Sequence, residues 1–136
     1  PFLKDGSMRV SFSHTKGYVA VAIHPNKEVG VDIEQYGERV KKVASRFIHE
    51  DEKPSVHAGD EVYILLLHWS AKETMYKLME EEAVDFAKHL RIHPFVASNT
   101  GELSAIETRT DAQTRYRIFY DTHTDYVLTY AVLSSL

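Results

Sequence analysis

Val29-Gly30-Val31-Asp32-Ile33-Glu34 is the stretch on which the reading of this chain turns. Alternate side chains of a strand share a face, so Val29, Val31 and Ile33 are expected on a core face. Asp32 and Glu34 then share the other, about 7 Å apart along the strand. A single D-x-E of this kind is ordinarily a solvated polar face. It is also a pair of hard oxygen donors on one rigid element, a set that suits Mg²⁺ held between carboxylates and a substrate phosphate. Gly30, on the acids' face, would let a ligand approach the backbone.

Before this stretch, Val10 and Phe12 alternate with Ser11 and Ser13, a period of two that reads as a strand. Thr15-Lys16-Gly17 is turn-like, Tyr18–Ile23 is a second strand, and His24-Pro25-Asn26-Lys27 separates it from the third. Together the three are expected to form an antiparallel meander. Ser11-Phe12-Ser13-His14 combines hydroxyls, an imidazole and turn N–H groups. That makes it a candidate phosphate contact, although a Ser-His dipeptide also arises by chance.

After it, Val40, Val43, Ala44, Phe47 and Ile48 fall on one helical face. Arg39, Lys42 and Arg46 lie beside that face, a basic stripe that is either a solvated surface or a docking surface for an acidic partner. Gly59-Asp60 offers an N-cap for a long helix from about Glu61 to Met79. On it Val62, Leu65, Leu66, Trp69 and Tyr76 form one stripe, and Ile64, Leu67, Ala71, Met75 and Leu78 a second, so burial on both sides is expected. Glu73 falls inside the first stripe and Lys77 at its edge. An i, i+4 ion pair explains their spacing but not a carboxylate placed among apolar residues, which calls for a partner or a metal. Glu102–Thr108, Thr114–Tyr120 and Tyr126–Leu133 read as strands between turn residues. The fold class expected is α+β: an antiparallel sheet with two main helices packed on it, in one domain over residues 1–136.

The 136 residues are 43% hydrophobic and 26% charged, the balance of an ordinary globular chain. The longest apolar run, Ile64–Leu67, is far short of the ~20 residues of a membrane span. A net charge of −4 argues against a dedicated nucleic-acid binder. Zero cysteine excludes disulfides, thiolate catalysis and Cys-type metal sites, and with no signal peptide it fits a cytoplasmic protein. The 8 His residues are scattered, and His89 and His93 lack a convincing helix or an H-E-x-x-H. There is no Walker A loop, G-x-G-x-x-G or G-x-S-x-G.

Each signal is weak alone, but their order is specific. Ser11-x-Ser13-His14, an apolar strand, Val29–Glu34, a basic amphipathic helix ending Arg46-Phe47, and Trp69-Ser70-Ala71-Lys72-Glu73-Thr74-Met75-Tyr76-Lys77 follow one another. In this the chain resembles the 4′-phosphopantetheinyl transferase superfamily, in its larger, synthetase-activating type. The resemblance runs from Pro1 to about Lys77 and extends through the C-terminal strands. It implies magnesium held by Asp32, Glu34 and Glu73, with Lys77 on the phosphates. It implies coenzyme A contacts from Lys72 and from the pair Ser13 and His14. It implies transfer of the phosphopantetheine arm of coenzyme A to a serine of an acyl or peptidyl carrier protein, with Glu73 or a metal-bound water it holds as base. The Arg39, Lys42 and Arg46 stripe would then face the acidic carrier.

The larger family members resemble two packed halves with the coenzyme between them. This chain resembles the C-terminal half, with Pro1 at the place of the proline of a G-K-P motif and without the family's glycine-rich segment after Lys77. A homo-oligomer that completes the cleft is one expectation. A non-catalytic half-domain that binds coenzyme A or a carrier is the alternative. An unrelated Mg²⁺-dependent phosphohydrolase is a third reading.

Overall fold

The computed structural model describes residues 8–52 and 60–133. Pro1 and Gly59 lie outside the described residues. Gly17 takes φ +87°, a left-handed conformation that costs glycine little, and the chain reverses through Lys16-Gly17. The two strands on either side, β1 (Arg9–Thr15) and β2 (Tyr18–His24), pair antiparallel as a separate two-stranded ribbon. Phe12, Val19, Val21 and Ile23 leave one face of that ribbon exposed and apolar.

The expected three-stranded meander stops there. β3 (Val29–Gln35) leaves the ribbon and pairs with β7 (Tyr126–Val132), at the edge of a five-stranded antiparallel sheet ordered β3-β7-β6-β5-β4. β4 is Leu90–Ile92, β5 Thr100–Glu107 and β6 Arg115–Thr122. β1 stays beside the free edge of β3 without a backbone ladder. Ser11 Oγ accepts from Val31 N–H at 3.1 Å and Ser13 Oγ from Ile33 N–H at 3.0 Å, so two hydroxyls replace the strand's missing partner. The contacts advance together along both strands, so β1 and β3 run parallel.

Of the two expected helices, one is long. α2 (Glu61–Leu78) starts where Asp60 accepts a hydrogen bond from Val62 N–H at 2.8 Å, as its sequence predicts. It is buried on nearly all sides as far as Met75. α1 is only Arg39–Val43 and passes into a 3₁₀ turn at Ala44–Arg46. Its N-cap Glu38 makes no side-chain capping bond and its first turn carries no acid, so two β-branched valines are left with little to extend the helix. A one-turn helix α3 (Phe86–His89), capped by Asp85, leads into β4. The core lies between α2 and the sheet, where Phe47, Leu67, Met75, Leu103, Ile118 and Val127 are buried together. The expected α+β architecture is present, with β3 at one edge of the sheet.

Candidate functional site

Small residues decide how closely α2 approaches β3 and β7. A Cβ at Gly30 would stand 3.0 Å from the Thr74 carbonyl and 3.3 Å from Leu78 Cγ, so the helix backbone lies almost directly on the strand. Thr129 of β7, opposite Asp32 in the register, shares hydrogen bonds of 2.8 Å with the hydroxyls of both Ser70 and Thr74. Ser70, Glu73, Thr74 and Lys77 follow i, i+3, i+4, i+7 along α2, so the face that is stitched to the sheet also carries Glu73 and Lys77 toward β3.

This corrects two expectations for β3. Gly30 admits the helix, not a ligand. Asp32 and Glu34, which share its side of the strand, therefore face α2. Val29, Val31 and Ile33 look the other way and are buried as well. Because both faces of the strand are covered, its apolar residues could not reveal which side carried the helix.

Three carboxylates consequently share one environment. Asp32 is only 4% exposed, and its Oδ2 is buried without a hydrogen-bond partner. Burial pushes Glu34 up to about 9, reinforced by the nearby Asp32 carboxylate and by the charge of Glu73. The neighbouring Trp69 side chain opposes this. Glu73 is also raised, by burial and then by Asp32, with Lys77 pulling the other way. Burial and neighbouring negative charge thus disfavour the ionised forms of Glu34 and Glu73. The donor chemistry, three hard oxygen ligands with one buried lone oxygen, fits a divalent ion of the Mg²⁺ type. Among the described residues no three acids or histidines stand close enough, as placed, to hold a metal ion. A cation would have to draw these carboxylates together.

Lys77 reaches past Glu73. Its Nζ donates to the carbonyls of Val31 at 2.6 Å and Phe12 at 3.2 Å, and stands 3.8 Å from Asp32 Oδ1. The ammonium thus sits between β1 and β3, and its ion pair is with Asp32. Ser13 joins the same group, donating to Asp32 Oδ1 at 3.4 Å while accepting from β3. His14 does not. It alternates to the other face of the ribbon and is exposed, so Ser13 and His14 do not act as a pair in this arrangement.

The comparison with known families gives the site its context. A family model described as the 4′-phosphopantetheinyl transferase superfamily matches residues 28–131, which include β3, all of α2 and the rest of the five-stranded sheet. The chain belongs to the 4′-phosphopantetheinyl transferase superfamily. No curated protein matches the sequence.

Within this transferase fold the structure moves Lys72 away from its expected place beside a coenzyme. It is 0% exposed. Its Nζ donates to the Phe47 carbonyl at 2.6 Å, to Glu52 Oε1 at 2.7 Å and to the Phe86 carbonyl at 3.4 Å. Burial pulls its pKa down, against the opposing pull of Glu52. Adjacent helix positions differ by about 100°, so Lys72 and Glu73 serve different sides of α2. Sequence reading missed Glu52, because its partner lies 20 residues on and nothing local marks it. The only available signal was that Lys72 neighboured two apolar stripes and therefore needed a buried acid.

A cavity of about 870 Å³ opens beside Glu34, walled by Phe47, Trp69 and Phe86, with Arg39 and Arg46 in its lining. Of the predicted basic stripe, these two residues adjoin the cavity. Lys42 is exposed and is not in the lining. The 3₁₀ turn that ends α1 is what carries Arg46 out of the regular helical spacing.

Proposed function

We propose that this chain transfers the 4′-phosphopantetheine arm of coenzyme A to a serine of an acyl or peptidyl carrier protein, with Mg²⁺, releasing adenosine 3′,5′-bisphosphate. The observation that carries the reading is the group Asp32, Glu34 and Glu73, with Asp32 Oδ2 buried and unpartnered and the other two carboxylates driven up in pKa. In this reading the three acids hold Mg²⁺ against the pyrophosphate of coenzyme A. Bound there, the ion neutralises the anion and polarises the phosphoryl group under attack.

The chain's own residues do the rest. Glu73, or a water it holds, takes the proton from the carrier serine hydroxyl. The serine oxygen forms a bond to the phosphorus that carries the pantetheine arm. The bridging P–O bond breaks, and its electron pair leaves with adenosine 3′,5′-bisphosphate. Lys77 neutralises charge on the phosphates once it exchanges the Val31 and Phe12 carbonyls for a stronger, charge-assisted acceptor. Ser13 steadies Asp32 and contacts the coenzyme phosphates, whereas His14, on the other face of the ribbon, takes no part. Arg39, Lys42 and Arg46 steer the acidic carrier toward the cavity beside Glu34. Lys72 has no direct part in this mechanism. Self-association that completes the coenzyme cleft and a cytoplasmic location belong to the same proposal. No helix among the described residues is long and apolar enough to cross a membrane.

The test is the intact mass of an apo acyl carrier protein after incubation with the chain, coenzyme A and Mg²⁺, beside an EDTA control. A metal-dependent gain of one phosphopantetheine arm is expected. Light scattering of the same sample reads the oligomeric state. A second reading is a half-domain that binds coenzyme A or a carrier without turnover. It is favoured by the acids standing too far apart, as placed, to hold an ion. Coenzyme binding with no mass gain on the carrier would select it, and absence of both would sink the proposal.

A further inference from the structure

The Lys72–Glu52 pair is completely enclosed, yet four separate segments depend on it. Lys72 has three N–H groups, and all three find oxygen: the carbonyl of Phe47, just after the 3₁₀ turn, Glu52 Oε1, and the Phe86 carbonyl at the start of α3. Glu52 Oε1 also accepts from His49 N–H at 2.6 Å, and its Oε2 accepts from Ile92 N–H of β4 at 2.6 Å. The two residues whose carbonyls Lys72 holds are the two whose rings flank Trp69, each with its centroid 5.4 Å from the indole. Trp69 lies one turn before Lys72 on α2 and lines the same cavity as Glu34. A continuous path therefore runs from Lys72 through the Phe47–Trp69–Phe86 wall to the carboxylate cluster, while Lys72 also precedes Glu73 in sequence.

We propose that Lys72 and Glu52 are positioning residues for the carboxylate cluster: they fix the Phe47–Trp69–Phe86 wall and, through Trp69, the place of Glu34. An apolar pair would pack the same space but could hold neither carbonyl nor the Ile92 N–H. Desolvating two charges is costly, and a buried ion pair is poor evidence of stabilisation for its own sake. Outer-shell groups that orient metal-binding side chains are a recognised use of such an arrangement. The inference deepens the reading of Asp32, Glu34 and Glu73 as cation ligands and, for its metal arm, rests on it.

The experiment compares the full chain with its Lys72→Met, Glu52→Gln and Lys72→Arg variants, each checked for folding by far-ultraviolet circular dichroism. Trp69 is the chain's only tryptophan, so its emission reports the wall directly. Mn²⁺ titration reads the cluster without requiring turnover. Folded Lys72→Met is expected to shift Trp69 emission to longer wavelength and to lose about 10-fold or more in Mn²⁺ affinity. Lys72→Arg, which keeps donors for both carbonyls, is expected to stay near wild type in both. If Lys72→Met does not fold, Glu52→Gln carries the same comparison, because it retains an acceptor for one of the two N–H groups. A purely structural pair would lower the urea midpoint but leave the Mn²⁺ affinity of the folded molecules unchanged, and that result overturns the proposal. A wild-type chain that binds no Mn²⁺ overturns the metal reading of the cluster, and the Trp69 comparison then decides the positioning role alone.

Discussion

Glu107 and Asp32 are both buried acids on sheet strands, and they are treated in opposite ways. Glu107 accepts from Thr110 N–H at 2.8 Å, from the Thr110 hydroxyl at 2.6 Å and from Thr114 N–H at 3.1 Å. Burial alone would raise its pKa, but these donors outweigh it and hold the carboxyl below its usual value. Asp32 keeps one oxygen without any donor and has Glu34 and Glu73 as neighbours, both pushed upward. The first acid fastens a loop. The second keeps a lone buried oxygen, with the Lys77 ammonium 3.8 Å from its other oxygen. Residue type does not separate the two cases, whereas the supply of N–H and O–H donors around each carboxylate does.

The contrast breaks most visibly under substitution of the Asp32 cluster. Asp32→Ala or Glu73→Gln is expected to abolish phosphopantetheine transfer in the intact-mass assay while leaving the thermal midpoint unchanged or higher, since each removes like-charge repulsion. Transfer at the wild-type rate by either variant would end the metal assignment. Glu52→Ala belongs with the satisfied acids and should behave oppositely. It strands the buried Lys72 ammonium, at a cost of about 3–5 kcal/mol in urea unfolding. Gly30→Ala sharpens the boundary between the two regions. Its new methyl meets the Thr74 carbonyl at 3.0 Å, so α2 must retreat from β3. A loss of about 2 kcal/mol is expected from this overpacking, together with weaker Mn²⁺ binding because Glu73 retreats with the helix. A stable Gly30→Ala chain with full metal affinity would show that the close approach is dispensable.

The smallest effect belongs to Glu107→Gln, about 1 kcal/mol for exchanging charge-assisted bonds for neutral ones. Its pH dependence has a definite sign. Glu107 has a folded pKa below its unfolded value, so the unfolded chain binds more protons in that interval. Its contribution is present above the ordinary carboxyl value of 4.5 and is lost as pH falls through the folded pKa. The variant's deficit in urea midpoint should therefore shrink in acid. A deficit that stays constant into that range would mean that the carboxylate charge is not what holds the loop.

Much of the architecture could be read locally. The Asp60 cap, the span of α2 and the three C-terminal strands were legible because caps, helical stripes and alternation are properties of neighbouring residues. Asp32, Glu34 and Glu73 stood out as candidates because two share a strand face and the third interrupts an apolar stripe. What escaped was non-local. That β3 would join β7 and not β2 depends on residues about a hundred positions away. The face of β3 that meets the helix was misread because apolar burial on both sides erases the alternation signal. Lys72 was misread because a lysine beside a carboxylate in a motif reads as a ligand contact, and only the distant Glu52 turns it inward. α1 was overextended because the apolar periodicity of the sequence continues to Ile48, although the chain tightens into a 3₁₀ turn at Ala44–Arg46.

The two serines of β1 act as spacers. Neighbouring strands in a sheet ordinarily lie about 4.8 Å apart, too close for a side chain to enter between them. By placing hydroxyls where backbone carbonyls would otherwise sit, Ser11 and Ser13 keep a slot open along one edge of the sheet, and the Lys77 ammonium occupies it. Closing that slot would let the ribbon zip onto β3 and make one continuous seven-stranded sheet, with the lysine expelled. The molecule forgoes a regular ladder at this seam, and the opening it keeps gives a cation a berth next to Asp32.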